Sequence, residues 1–187
     1  MFRYRDFVVE DNIVCKGNDV RRYLLRVEFD CDINKKVLVI LKNPSKADKH
    51  ESDLTIDRVL KYCNNQGYSE VSIMNLYSYY ATDAHELRTL IQGKEISKAV
   101  GKKNDMYLRQ EVKKVDDVIA AWGENTFGCT KQYKARIKEV VEIIKVKPIY
   151  YVQSISKNEW YPRHAQTWKI NQNISQYKWK CKKILKA

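Results

Sequence analysis

Four short, mostly apolar runs organise the chain: Val37-Leu38-Val39-Ile40-Leu41, Val71-Ser72-Ile73-Met74-Asn75, Val118-Ile119-Ala120-Ala121-Trp122 and Ile149-Tyr150-Tyr151-Val152. Runs of this length without polar alternation are expected of strands covered on both faces, as in a central parallel or mixed sheet. Upstream, Tyr23, Leu25, Val27 and Phe29 alternate with Arg22, Leu24, Arg26 and Glu28, a period of two that predicts a half-exposed strand. Asp30 to Asn34 then reads as a turn. Between the apolar runs the spacing becomes helical. Asp53 is placed to cap a helix that carries Ile56, Val59, Leu60 and Cys63 on one face and stops at Gly67. Further helices are expected near 84–91, 104–114 and 130–145, with a looser stretch over 92–103. Residues 1–19 are weakly patterned and predict an irregular arm or an edge element.

Strands and helices in alternation predict a single α/β domain over 1–187, a three-layer α/β/α sandwich with a mainly parallel central sheet. The tail, residues 169–187, departs from that rhythm. Its run Lys178-Trp179-Lys180-Cys181-Lys182-Lys183 has lysines and no acid, and reads either as a basic arm or as a solvated last helix.

Composition narrows the function classes. Hydrophobic residues are 44% and aromatics 11% of the 187, which excludes wholesale disorder. No apolar run approaches the ~18 residues of a membrane span, and the first residues lack the apolar core of a signal peptide. No membrane role is expected. The net charge of +12 makes a polyanion, a nucleotide or nucleic acid, the first partner to consider. Five cysteines without a C-x-x-C pair, and three histidines without ligand spacing, suggest neither a disulfide framework nor a metal site. A cytoplasmic protein with reduced thiols, no metal and no cofactor is the expectation.

The unusual polar residues gather where strands end, which is where open α/β sheets bind ligands. Lys42-Asn43-Pro44-Ser45-Lys46-Ala47-Asp48 follows the first run, and Asn75-Leu76-Tyr77-Ser78 follows the second. Trp122-Gly123-Glu124-Asn125 closes the third, and the fourth leads to Tyr161-Pro162-Arg163-His164. Asp53, Thr55 and Arg58 stand at the start of the first helix. Each has a plain structural reading as well: Asn43-Pro44 as a turn, Asp53 as a cap, Trp122-Gly123 as a packed ring before a tight turn, and His164 as a structural imidazole. Their common placement predicts one ligand site at this rim.

The ordered motifs LKNPSKAD, DLT, NLYSYYATDAHEL, GKKND, AAWG and YPRH resemble the bacterial and phage family known as DUF1643, over about Tyr23 to Trp168. A more distant resemblance is to the uracil-DNA glycosylase superfamily. That likeness aligns Lys42-Asn43-Pro44-Ser45 with the first catalytic loop, Asn75 with the second and His164 with the last, with Ala165 where the superfamily has a proline. It implies N-glycosidic hydrolysis on an unstacked base. Asn43 would orient water, with Asp48 or Asp53 as candidate base. Asn75 would read a base edge, and His164 would stabilise charge on the departing base. The same likeness makes Tyr77 or Trp122 a stacking surface, and brings Ser45, Lys42, Lys46 and Arg58 to a phosphate.

Three functions therefore compete. The first is a nucleotide or nucleic-acid binder with a glycosylase-like site, serving a phage or a defence system. The second is an N-glycosidic hydrolase acting on a modified base. The third is a protein–protein adaptor, for which the thirteen tyrosines would supply an interface.

Overall fold

The computed structural model describes residues 1–81, 84–93 and 95–178. Seven strands form one mixed sheet: β1 (Val14–Asn18), β2 (Arg21–Glu28), β3 (Lys36–Leu41), β4 (Glu70–Asn75), β5 (Asp117–Ala120), β6 (Ile149–Val152) and β7 (Ile174–Gln176). Their order across the sheet is β1-β2-β4-β3-β5-β6-β7. The four apolar runs are the adjacent strands β4, β3, β5 and β6, and they are mutually parallel. β1, β2 and β7 add antiparallel margins, so the sheet is mainly parallel only at its centre.

Five helices cover it: α1 (Leu54–Asn65), α2 (Ala84–Gln92), α3 (Ile96–Val100), α4 (Asn104–Glu111) and α5 (Thr130–Ile144). Strand parity sorts the core into two layers, because successive side chains point to opposite faces. Val37, Val39 and Leu41 of β3 pack with Ile56, Val59, Leu60 and Cys63 of α1. Leu38 and Ile40 pack on the other face with Leu87 of α2, Leu108 of α4, and Ile137, Val140 and Ile144 of α5. The result is an α/β fold in three layers.

Several expectations need correction. β2 is an inner strand, so both its faces are covered and Arg22, Leu24 and Leu25 are all buried, where a half-exposed strand was expected. Residues 1–19, read as an irregular arm or an edge element, contain the edge strand β1, and the Tyr4, Val8 and Ile13 side chains are buried with it. The third run leaves the strand at Ala120, although the Ala121 amide still donates to the Ile40 carbonyl at 2.9 Å. The 92–103 stretch contains α3, and α4 stops at Glu111. In the tail, residues 174–176 pair with β6 as a strand rather than forming an arm or a helix. Lys178 is exposed, and positions 179–187, including lysines 180, 182 and 183, lie outside the described residues.

The chain steps from β3 to β4 on one side, then crosses back to β5 on the other side of β3. α1 lies on one face of the sheet, and α2 and α4 on the other. Such a reversal splays the connecting loops apart and leaves a crevice beyond the carboxyl ends of the two strands.

Candidate functional site

A cleft of about 420 Å³ occupies that crevice. Leu41 to Ser45 line it from the end of β3, and Thr55 from the first turn of α1. Gly123, Glu124, Asn125 and Phe127 come from beyond β5, His164 and Gln166 from the loop after β6, and Ala81 from beyond β4. Residues far apart in sequence therefore share one wall because they leave neighbouring parallel strands at the same edge.

The β3 loop is held from several sides. Asp53 caps α1, its Oδ1 accepting from the Thr55 and Ile56 amides at 2.9 and 3.0 Å. Its Oδ2 accepts from the Ala47 amide at 3.2 Å, which ties the loop to the helix. Arg22 reaches the loop from β2, fully buried, and its Nη1 donates to the Ala47 carbonyl. Asn43 Nδ2 donates to the Pro44 carbonyl at 3.3 Å, and the Ser45 hydroxyl is buried without a partner among the described residues.

Lys42 is the unusual group. It is only 7% exposed, and its ammonium makes no ion pair or hydrogen bond among the described residues. Its ammonium instead lies 4.5 Å from the centroid of the Phe127 ring and 5.9 Å from that of Tyr133. Burial pulls its pKa down to about 8, since removal from water penalises the charged form.

His164 borders the same cleft. Burial, reinforced by the Lys42 charge, lowers its pKa to about 4, so the ring is neutral at physiological pH. Its Nδ1 accepts from the Gln166 amide at 3.2 Å. The ring proton then belongs on Nε2, which has no protein partner among the described residues and can donate to a ligand. Gly123 permits this approach. Its φ is +74°, and a Cβ there would meet the His164 Cβ at 2.9 Å. A second hollow of about 330 Å³ shares Gly123, Glu124 and His164 with the cleft and is lined as well by Ser154, Ser156 and Arg163.

Of the residues singled out in the sequence, Lys42, Asn43, Pro44, Ser45, Thr55, Gly123 and His164 come together in the cleft. Arg163 lines the adjoining hollow, its Nε donating to the Thr167 hydroxyl at 2.9 Å. Others lie elsewhere. Asp48 is a turn residue whose Oδ1 accepts from the His50 and Glu51 amides at 2.7 and 3.0 Å, and these bonds hold its pKa down. Asp53 is committed to its three amides, and Arg58 stands one turn along α1 outside the cleft lining. Asn75 is buried without contributing to the lining, and its side-chain amide has no partner among the described residues.

Trp122 and Tyr77 are not walls of the site. Both are fully buried: the Trp122 indole donates to the Trp160 carbonyl at 3.1 Å, and Tyr77 stacks on Tyr133. Trp122 shares the parity of Val118 and Ala120, which sends it into the α5-side core. The aromatic wall is Phe127, missed in the sequence. It sits at φ +52°, in a loop where Asn125 Oδ1 accepts from the Phe127 amide at 3.0 Å. Asn125 itself, two residues before an aromatic and three before Gly128, was the available signal of that turn. Among the described residues no group of three His, Cys, Asp or Glu could hold a metal, and no helix is long and apolar enough to cross a membrane.

The model of a protein family described as a protein of unknown function (DUF1643) matches residues 22–165. The chain belongs to the DUF1643 family. The matched span opens at buried Arg22 and closes one residue past His164, so it encloses every cleft residue except Gln166. No curated protein and no solved structure matches the chain.

Proposed function

We propose that this DUF1643 protein binds a nucleotide unit, free or within a nucleic acid, in the cleft at the ends of β3 and β5. The observation that carries the reading is Lys42, a buried cation facing a ligand-sized cleft, with no acid paired to it among the described residues. An anionic or electron-rich ligand would supply what the protein withholds. Phe127 offers a flat apolar surface to a base, Asn43 and Asn125 offer amides to its edge, and the His164 Nε2–H offers a neutral donor. The net charge of +12 favours the approach of a polyanion.

The test is a thermal-shift and fluorescence-anisotropy panel of mono- and oligonucleotides against the wild type, Lys42→Met and His164→Ala. Binding should be present in the wild type and reduced at least about tenfold in each variant, corresponding to ~1.4 kcal/mol. Equal affinities across the three proteins would refute the site.

A second reading, N-glycosidic hydrolysis with a uracil-DNA-glycosylase-like fold, is favoured by one feature, the neutral imidazole beside a cation. Together they would stabilise negative charge on a departing base. With Asp48 in its turn and Asp53 in its cap, Glu124 is, among the described residues, the carboxylate in the cleft lining that could orient water. Release of free base from modified oligonucleotides, abolished by Glu124→Gln, is the discriminating assay.

A further inference from the structure

Lys42 combines features that recognition alone does not require. Its backbone is held in place, the carbonyl accepting from the Tyr77 amide at 2.9 Å. Its side chain is almost wholly withdrawn from water, flanked by the rings of Phe127 and Tyr133, with no carboxylate against it among the described residues. It nonetheless lines a cleft of about 420 Å³. A lysine that only anchors a phosphate gains from staying fully charged and solvated, whereas a desolvated, unpaired amine is the arrangement that makes lysine a nucleophile.

We infer that Lys42 attacks a carbonyl, forming an imine with an aldehyde-bearing sugar phosphate held in the cleft. The inference deepens the nucleotide reading, on which its choice of substrate class rests. In the first step the amine lone pair bonds to the aldehyde carbon and the C=O π pair moves to oxygen. That oxygen takes up a proton as the nitrogen loses one, giving a carbinolamine. The hydroxyl then leaves as water, taking up a proton as the nitrogen gives up its second, and the nitrogen lone pair forms the C=N bond. One aldehyde and one amine give one imine and one water, with no change of oxidation state. The His164 Nε2–H is a donor for the oxygen as its charge develops, and the neutral ring does not compete for the lysine's role as nucleophile. Burial prepares the amine for this. With a pKa of about 8, Lys42 holds roughly two hundredfold more free base than an ordinary lysine near pH 7.5.

The experiment traps the imine by reduction with borohydride and maps the adduct by peptide mass spectrometry. One arm uses an oligonucleotide with an abasic site, whose ring-opened sugar is an aldehyde; the other uses glyceraldehyde 3-phosphate. The expected result is a reduced adduct on the Lys42 peptide, absent in Lys42→Arg, with surface lysines labelled far less. Trapping by the oligonucleotide supports both the imine and the nucleic-acid reading. Trapping by the small sugar phosphate alone supports the imine and overturns the nucleic-acid reading. An adduct spread over surface lysines in both arms, unchanged in Lys42→Arg, overturns the inference. Competitive acetylation of the wild type across pH needs no variant. Lys42 should label with a midpoint near 8, and a midpoint with the surface lysines overturns the inference equally.

Discussion

Lys42 carries a cost in stability. Its pKa is about 8 in the folded chain against the ordinary 10.5. Below about pH 8 the folded state must therefore hold a buried charge that the unfolded state solvates freely, and the penalty fades as pH rises between those two values. Lys42→Met should raise stability by about 2 kcal/mol near pH 7, with the gain shrinking toward pH 10.5, while removing ligand binding. Urea denaturation at several pH values measures it. His164 runs the same way at lower pH. Its folded pKa is about 4 and its ordinary value 6.5, so the unfolded state binds the extra proton. Stability is complete above about 6.5 and falls through the window down to about 4, by up to roughly 3 kcal/mol. In His164→Gln the loss over that window should be smaller by that amount; an unchanged acid limb of the urea curve would contradict the buried neutral imidazole.

Elements explain why part of the site could be read in advance and part could not. Val37–Leu41 and its three companion runs were legible because continuous apolar stretches only suit strands covered on both faces. Loops from their carboxyl ends had to share an edge, which is how Asn43 and His164 come to share a cleft. Asn75 and Tyr77 leave the same edge yet lie buried outside the lining, because direction of a side chain depends on strand parity and not on loop position alone. Antiparallel β7 was hidden by its polar sequence, and Phe127 by a loop conformation that a single sequence does not announce. Asp53 links the two kinds of information, since its carboxylate serves helix and loop together. Asp53→Ala should cost about 1–2 kcal/mol and weaken ligand binding. Asp53→Asn keeps the cap through Oδ1 but presents an N–H to the Ala47 amide, so it should recover stability more than affinity. Parallel denaturation and anisotropy measurements separate the two.

Taken as a whole, the molecule is a cation with a ligand-sized opening at one end of its sheet. Binding to an oligonucleotide should weaken with salt, at a log–log slope of about −0.7 per phosphate contact on single strands or −0.9 on duplex. Under the nucleotide reading, Arg58, one turn along α1, and Arg163, in the adjoining hollow, would be the cations that meet flanking phosphates. Replacing either with Gln should make the slope shallower by about one contact, leaving the cleft intact. A salt-independent affinity, from titrations between about 50 and 200 mM, would mean that the ligand is uncharged.

The place of β3 in the sheet has a consequence for how the protein is made. β3 pairs on one side with β4 and on the other with β5, whose start lies far downstream; the Lys36 amide and the Asp116 carboxylate that it meets are 80 positions apart. During synthesis, then, the most apolar strand emerges long before its second neighbour exists. At 5–20 residues per second that interval lasts several seconds, with an open strand edge and an uncovered apolar face in the meantime. A ribosome stalled before β5 would display a sticky half-sheet and no cleft, because six of the cleft's thirteen lining residues have yet to be translated. Chaperone dependence of the nascent chain should accordingly peak over this window and end once β5 and α5 have emerged.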